Sequence, residues 1–289
     1  MVYASANNHS RRGGNSPRKQ QQERYILMAG LLGFFAVWFF TPLSNFCTQA
    51  VLNFVPFEAD VKLGQEAWQS MKYEYPPVQD VWGVERIGRQ LVGIIDKNTY
   101  QTVSWDFGVI HSPNVINAFA LPGGVIRVTD ALLNTLQLSD AELAALIGHE
   151  MGHVLHRHSQ ARLLQNQLFT YLLNAVIYED NDGYEESFGE ALGELMLKSA
   201  SFLARQSFSR QDEYEADATA WELTVSSRMY SPKGVESLLK KLWTLQGGSG
   251  QTSWESTHPG TKDRIVALKT KWDDLSVRQR RRLNQYPIQ

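Results

Sequence analysis

The pentapeptide His149-Glu150-Met151-Gly152-His153 follows an apolar stretch of helical periodicity, and it constrains this chain more than any other feature. Residues four apart on an α-helix differ by about 40° in azimuth and about 6 Å along the axis. His149 and His153 therefore share a face and could hold one metal ion, while Glu150 could reach a water molecule in the ion's open position. The alternative is a pair of buried histidines without a metal.

A third metal ligand would have to be an imidazole or a carboxylate, because Cys47 is the only cysteine of the chain. A third histidine of the metzincin kind is excluded, since His156 and Ser159 stand where that motif has Gly and His. The segment RQDEYEAD offers Glu213 and Asp217, which share a helix face. One could bind the metal while the other supports a ligating imidazole. Spacing alone does not choose between them, and a solvated acidic face is the alternative.

The N-terminal part of the chain has the composition of a tail followed by a membrane helix. The first 22 residues contain no acid, and residues 1–24 are predicted to form a disordered basic tail. Residues 26–40 contain no polar residue, so a transmembrane anchor (or uncleaved signal) is predicted over 25–47. A cleaved signal peptide and a buried core helix are the alternatives. The positive-inside rule places the remainder on the far side of the membrane, facing the bacterial periplasm or at the mitochondrial inner membrane.

Residues 51–275 are predicted to form one domain, followed by a basic C-terminal tail over 276–289. Apolar periodicity switches from strands to helices near residue 130, which favours a mostly helical α+β fold with one small sheet. Helices are predicted at 58–72, 78–96, from 139 or 140 past 158, 188–207, 210–226, 232–245 and 261–272. Strands are predicted at 102–110, 114–121 and 125–129, with a loop at 178–186 and a flexible break at 247–252.

Four motifs occur in one order along the chain: NAFALPGG, HEMGH, SRQDEYEAD and STHPGTKDRI. With them the chain resembles the membrane-associated zinc metallopeptidases that include HtpX, BepA, the mitochondrial stress-activated inner-membrane protease and the CAAX prenyl protease. This is peptidase family 48 of the metallo class, of the gluzincin type. The resemblance covers residues 58–272 and implies a zincin-type domain that binds one Zn²⁺ per chain. It implies that the zinc ligands are His149, His153 and Glu213, and that Glu150 is the catalytic base.

The same resemblance implies further site residues. Asp217 is expected to support a ligand histidine, and His258 to lie near the metal, where it would touch the ion or stabilise the oxyanion. The alternative for His258 is a helix-entry residue. An edge strand is expected to take an extended substrate by backbone hydrogen bonds, with an ordinary hairpin strand as the alternative. Its expected substrate-binding residues are Asn117, Ala118, Phe119 and Ala120.

These features predict a membrane-anchored zinc metalloendopeptidase that hydrolyses peptide bonds in misfolded or damaged proteins. The expected partners are unfolded or extended polypeptides, and the lipid bilayer through the N-terminal helix. Nucleic acid is not expected, because the formal net charge is −2. The apolar stretch 168–177 is too short to span a membrane, so prenyl-protein processing is not expected either. The alternative function is a catalytically silent chaperone or scaffold of the same fold; the oligomeric state is left open.

Overall fold

The structure, a computed structural model, describes residues 48–95, 103–166, 207–249 and 253–286, with Ile26, Gly30 and Gly33. The predicted N-terminal tail, most of the predicted anchor, the 178–186 loop and most of the 188–207 helix lie outside the described residues. Among the helices that are described, none has both the length and the apolar character that crossing a membrane requires.

The described residues form a mostly helical α+β domain, as predicted. The helices are α1 Phe57–Met71, α2 Val84–Val92, α3 Asp130–Leu136, α4 Asp140–Leu155, α5 Arg210–Ser227, α6 Lys233–Ser249, α7 Ser253–Thr257, α8 Thr261–Asp273 and α9 Val277–Leu283. The strands are β1 Pro77–Val78, β2 Asp106–Ile110, β3 Ala118–Leu121 and β4 Val125–Thr129. Residues 158–166 are helical as well.

The four strands form one mixed sheet in the order β1-β2-β4-β3, with β3 at an edge. Strands β2 and β4 are parallel, and the other two pairs are antiparallel. Alternate residues of β3 and β4 point to opposite faces, so Phe119 and Leu121 pack with Trp68 of α1. Ala118 and Ala120 join the main core together with α2 and α4. The sheet is therefore covered on both faces, and one face rests on the helix that carries HEMGH.

Several element boundaries differ from the predictions. The helix predicted over 78–96 begins only at Val84, because β1 pairs with β2 and a turn follows. The Asp80 carboxylate accepts hydrogen bonds from the backbone N–H groups of Trp82, Gly83 and Glu85 and so closes that turn. Strands β2 and β3 start four residues later than predicted.

The helix predicted to continue past His158 is interrupted after α4. Arg157 has φ 56 there, a conformation that a non-glycine residue keeps only where its surroundings hold it. Its guanidinium donates hydrogen bonds to the carbonyls of Leu52 (2.6 Å) and Val55 (2.9 Å). It also forms an ion pair with Asp60, with Nε and Oδ2 2.7 Å apart. These contacts explain why the helix stops and restarts at this point.

Helices α3, α7 and α9 were not predicted. Each is short, so its apolar periodicity is weak in the sequence. Helix α9 lies in the segment predicted as a basic tail, where Ser276 and Gln279 form a capping box and Leu283 is buried. The predicted break at 247–252 is helical up to the end of α6.

Helices α4 and α5 pack closely because glycine and alanine face each other. A Cβ atom added at Gly148 would lie 3.1 Å from the Cα of Ala220, and one at Gly152 would lie 2.8 Å from the Cα of Ala216. Larger side chains at these positions would separate the two helices. The close packing brings the histidines of α4 opposite the carboxylates of α5.

Glu142 stabilises the N-terminal end of α4 by hydrogen bonds. It completes a capping box with Ser139, in which the Ser139 N–H lies 2.9 Å from Glu142 Oε2. From α6, Ser237 Oγ donates to Oε1 (2.6 Å) and Lys241 Nζ to Oε2 (2.7 Å). Burial alone would raise the pKa of Glu142, but the hydrogen bonds from Lys241, Ser237 and Ser139 outweigh it and lower that pKa.

Replacing Glu142 with Gln should lower the free energy of unfolding by about 1.5–3 kcal/mol, because it weakens buried hydrogen bonds to a charged group. A carboxyl group with a lowered folded-state pKa stabilises the fold above its ordinary pKa of 4.5, and this contribution is lost as the pH falls through the folded value. The difference in free energy of unfolding between the wild-type protein and the variant should therefore become smaller at acidic pH. Urea unfolding of the detergent-solubilised full chain measures it. Glu66→Gln, which removes an exposed ion pair with Lys62 (4.0 Å), is the control and should cost less than about 1 kcal/mol.

Candidate metal centre

Four buried side chains from three parts of the fold meet between α4, α5 and the end of α7. His149 and His153 come from α4, Glu213 from α5, and His258 follows α7. One nitrogen or oxygen atom of each lies within 4.8 Å of the others, and all four residues are buried. The structure thus brings together every residue that was predicted to bind or touch the metal.

The distances between these atoms suit a tetrahedral zinc ion. His149 Nε2 and His153 Nε2 are 3.1 Å apart; His149 Nε2 lies 3.4 Å from Glu213 Oε2, and His153 Nε2 lies 3.4 Å from Glu213 Oε1. Two ligands at 2.0–2.1 Å from a tetrahedral ion are separated by about 3.3–3.4 Å. Two imidazoles and one carboxylate also form a donor set that zinc peptidases use. The residues therefore fit a zinc ion.

Glu150 lies beside this cluster with a fully buried carboxyl group. Neither of its oxygens has a hydrogen-bond partner among the described residues, and His258 Nε2 is 3.6 Å from Oε1. Burial raises the pKa of Glu150 above its ordinary value. A buried carboxylate without a partner is costly, so this group marks a place where another polar molecule would bind.

The members of the cluster have pKa values that are shifted in different directions. Burial would raise the pKa of Glu213, but Arg264 and His258 outweigh it and hold that pKa well below the ordinary value. Burial would lower the pKa of His149, yet hydrogen bonds to Asp217 and Glu213 raise it to about 9. For His153 burial prevails, and its pKa falls well below the ordinary value. Glu213 is thus an anion at neutral pH.

Asp217 lies one helical turn beyond Glu213 and contacts the other nitrogen of a cluster histidine. Its Oδ1 is 2.9 Å from His149 Nδ1. Its two oxygens also accept hydrogen bonds of 2.7 Å from Nε and Nη2 of Arg264. Asp217 therefore contacts His149 in the way that was predicted for the partner of a ligand histidine.

Arg264 was not predicted as a site residue. It is 1% exposed, and it bridges the two carboxylates of α5 by donating to Asp217 and Glu213. A signal was present in the sequence, because Arg264 shares a face of α8 with the buried Thr261 and Leu268. A buried cation requires anionic partners, and α5 supplies both.

His258 faces both the cluster and Glu150. Its Nδ1 lies 3.1 Å from Glu213 Oε1 and 3.4 Å from His149 Nε2, while its Nε2 points towards Glu150. Its ring stacks on Trp254 with the ring centroids 4.1 Å apart. The position is compatible with both predicted roles, contact with the ion and stabilisation of an oxyanion.

The predicted substrate strand is β3, preceded by Asn117. It pairs with β4 on one side, and within the described residues no strand pairs with its other edge. Thr257, next to His258, donates a hydrogen bond to Asn117 Oδ1 (3.3 Å), and Ser159 donates to the carbonyl of Ala120 (3.3 Å). The strand thus lies close to the cluster, with Ala118, Phe119 and Ala120 buried.

Comparison with known proteins agrees with this architecture. The profile of Peptidase family M48 matches residues 83–271. The Arabidopsis thaliana protein named "Mitochondrial metalloendopeptidase OMA1" is 35% identical over 166 residues, which cover 57% of this chain and 31% of that protein. The protein of the same name from Schizosaccharomyces pombe is 26% identical over 274 residues, 91% of this chain and 76% of its own length. "Metalloprotease LoiP" of Escherichia coli is 35% identical over 157 residues, 54% and 58% of the two chains.

A small mixed sheet packed on a His-Glu-x-x-His helix, with a buried His/Glu cluster, is the arrangement of a metallopeptidase domain. The profile match covers more than half of the chain, so the chain belongs to Peptidase family M48. The resemblance inferred from the four motifs is confirmed. The chain spans about a third of the length of the Arabidopsis relative and somewhat more than half of the Escherichia coli one.

Arg264→Met should lower the free energy of unfolding by about 3–5 kcal/mol, because it leaves two buried carboxylates without their cation. The matched control is Arg210→Met, which removes an exposed ion pair with Asp263 and should cost less than about 1 kcal/mol. Urea unfolding of the full chain gives both values. Equal losses in the two variants would contradict the structural role given to Arg264.

Proposed function

We propose that this protein is a membrane-anchored, zinc-dependent metalloendopeptidase that cleaves misfolded or damaged proteins. The observation that carries the proposal is Glu150, a buried carboxylate to which no described residue donates a hydrogen bond, beside a cluster whose spacing suits one zinc ion. The family membership supports the reaction class.

His149, His153 and Glu213 would hold the zinc ion, one per chain. When bound, zinc acts as a Lewis acid on the peptide carbonyl and lowers the pKa of an attacking water molecule. Asp217 would accept a hydrogen bond from Nδ1–H of His149, which leaves the lone pair of Nε2 facing the cluster. Arg264 keeps the carboxylates of Glu213 and Asp217 ionised and in place.

Glu150 is the proposed general base. It accepts a proton from the water molecule that attacks the peptide carbonyl carbon and delivers this proton to the nitrogen of the leaving amine. Its raised pKa makes it a better proton acceptor than an exposed carboxylate. His258 Nε2, which points towards Glu150, is placed to donate a hydrogen bond to the oxyanion that develops on the carbonyl oxygen.

The proposed substrates are unfolded or extended polypeptides. An extended chain would add to the outer edge of β3 by backbone hydrogen bonds, over Asn117, Ala118, Phe119 and Ala120. This mode supports a role in protein quality control, because it selects exposed backbone more than particular side chains. Folded proteins seldom present a free strand edge.

The proposed anchor is the apolar run within 25–47. The run contains no polar residue between positions 26 and 40 and follows a basic tail, which supports a single span. The zinc-binding domain would then lie across the membrane from the N-terminal tail, in the bacterial periplasm or at the mitochondrial inner membrane. The relatives from Arabidopsis thaliana and Schizosaccharomyces pombe carry "mitochondrial" in their names.

Topology is tested by protease protection of cells or organelles that express the full chain with a tag at each end. Added protease should remove the C-terminal tag once the outer barrier is opened, while the N-terminal tag should resist until the inner membrane is permeabilised. The reverse order of digestion would refute the proposed orientation. Digestion of both tags at the first step would refute a single span.

The mechanism is tested by exchanging one carboxylate for an amide. Glu150→Gln should bind zinc as wild type does, while its rate of cleavage of an unfolded protein such as casein falls by at least ~10²-fold, since the general base is lost. Bound zinc is measured by elemental analysis of the full chain. Wild-type cleavage by Glu150→Gln with zinc in place would contradict the assigned base.

The matched control is Glu213→Gln, the same exchange at a proposed ligand. This variant should lose zinc as well as activity, because its amide oxygen is a weaker donor than a carboxylate. The alternative function, a silent chaperone or scaffold, predicts a different pattern. In that case the wild-type protein would not cleave casein, with or without added zinc, and the Glu150 exchange would change nothing.

A further inference from the structure

His153 makes an unusual contact through the ring nitrogen that points away from the cluster. Its Nδ1 lies 2.9 Å from Nδ1 of His158. His158 is 2% exposed and is the first residue of the helical segment that restarts after the break at Arg157. The partner of this ring nitrogen is therefore a second imidazole, where His149 has a carboxylate.

The positions of the protons follow from the geometry. A zinc ion on His153 Nε2 requires the lone pair of that nitrogen, so the proton of the neutral ring would sit on Nδ1. His158 Nδ1 must then accept that proton as a hydrogen bond, and the ring proton of His158 must sit on Nε2. His158 Nε2 lies 3.3 Å from Oε2 of Glu215, which accepts it. One arrangement of protons thus satisfies the whole chain from Glu215 to His153.

We propose that His158 and Glu215 position His153 for zinc binding: Glu215 accepts from His158 Nε2–H, and His158 Nδ1 accepts from His153 Nδ1–H. We call this chain of two hydrogen bonds the relay. It rests on the proposed zinc site and adds the residues that orient one of its ligands. Asp217 positions His149 in the same way, but by a direct hydrogen bond to its Nδ1. His158 is a positioning residue, because it acts on the metal only through His153.

Two further contacts support this role. The Phe208 ring stacks on the ring of His153, with centroids 3.8 Å apart and an interplanar angle of 17°, so it sets the plane of the imidazole. A hydrogen bond to His158 sets the rotation within that plane. Arg157 holds the break at which His158 begins, through its ion pair with Asp60. The relay is therefore built into a constrained part of the backbone.

A second metal site is the competing interpretation, since His156, His158 and Glu215 also place ligand atoms within 4.8 Å of one another. A metal on His158 Nε2 would move the ring proton to Nδ1, where it would oppose the Nδ1 proton of His153. His156 is exposed, and its Nε2 already lies 2.9 Å from Thr219 Oγ1. These contacts favour the relay.

The test is the zinc dissociation constant of the detergent-solubilised full chain, measured by competition with a chromophoric chelator. His158→Phe keeps the ring but removes the acceptor, and it should weaken zinc binding by about 10–100-fold. His158→Asn should recover most of this loss, because its Oδ1 replaces Nδ1 as the acceptor for His153. Recovery by Asn separates positioning from packing, since Asn is smaller than Phe or His.

Glu215 is tested on the same helix with a matched control. Glu215→Leu should weaken zinc binding, because His158 then loses the acceptor that fixes its tautomer. Glu222→Leu removes an exposed carboxylate two turns further along α5 and should leave the affinity unchanged. His156→Phe should also leave both the affinity and the stoichiometry of one zinc unchanged.

The visible absorption of the Co²⁺-substituted protein provides a readout that does not depend on activity. The d–d bands should shift in His158→Phe and return towards the wild-type spectrum in His158→Asn. The relay is refuted if His158→Phe binds zinc as tightly as wild type, if Asn does no better than Phe, or if His156→Phe removes a second zinc ion. Failure of the wild-type protein to bind zinc would instead refute the proposed function.

Discussion

The close approach of α4 to α5 is the constraint on which the rest of the site depends. Glycine and alanine at the contact let the two backbones meet, at Gly148 with Ala220 and at Gly152 with Ala216. At that separation the imidazoles of α4 reach the carboxylates of α5 directly, without water between them. A slightly wider spacing would place the same residues on two solvated faces, where they would lack the geometry of a metal site.

Burying so many polar groups away from water is costly, because buried charges need partners of opposite charge. Glu213 and Asp217 are buried anions, and Arg264 supplies one positive charge between them. The raised pKa of His149, about 9, shows that the cluster favours one more positive charge at this place. A proton on the imidazole or a metal cation at its Nε2 would satisfy the same demand. Zinc binding at His149 Nε2 would therefore displace a proton.

Sequence reasoning was most effective where chemistry follows helical spacing. His149, His153 and the boundaries of α4 and α5 at their N-terminal ends follow from periodicity and capping residues. Spacing could not decide between Glu213 and Asp217, because both lie on one face of α5. The resemblance favoured Glu213, and the structure shows the difference: Glu213 faces both Nε2 atoms, whereas Asp217 meets His149 on the opposite ring nitrogen.

What sequence reasoning missed depends on contacts between distant segments. Arg157 illustrates this. Its backbone is in the left-handed region, which a sequence usually signals by a glycine, and here the residue is an arginine. The conformation is stabilised by Asp60 and two backbone carbonyls about a hundred residues earlier. The break that it creates turns the chain so that His158 faces His153, instead of continuing along the helix. The geometry of a proposed zinc ligand thus depends on an ion pair at the start of the domain, and that dependence exists only in the folded chain.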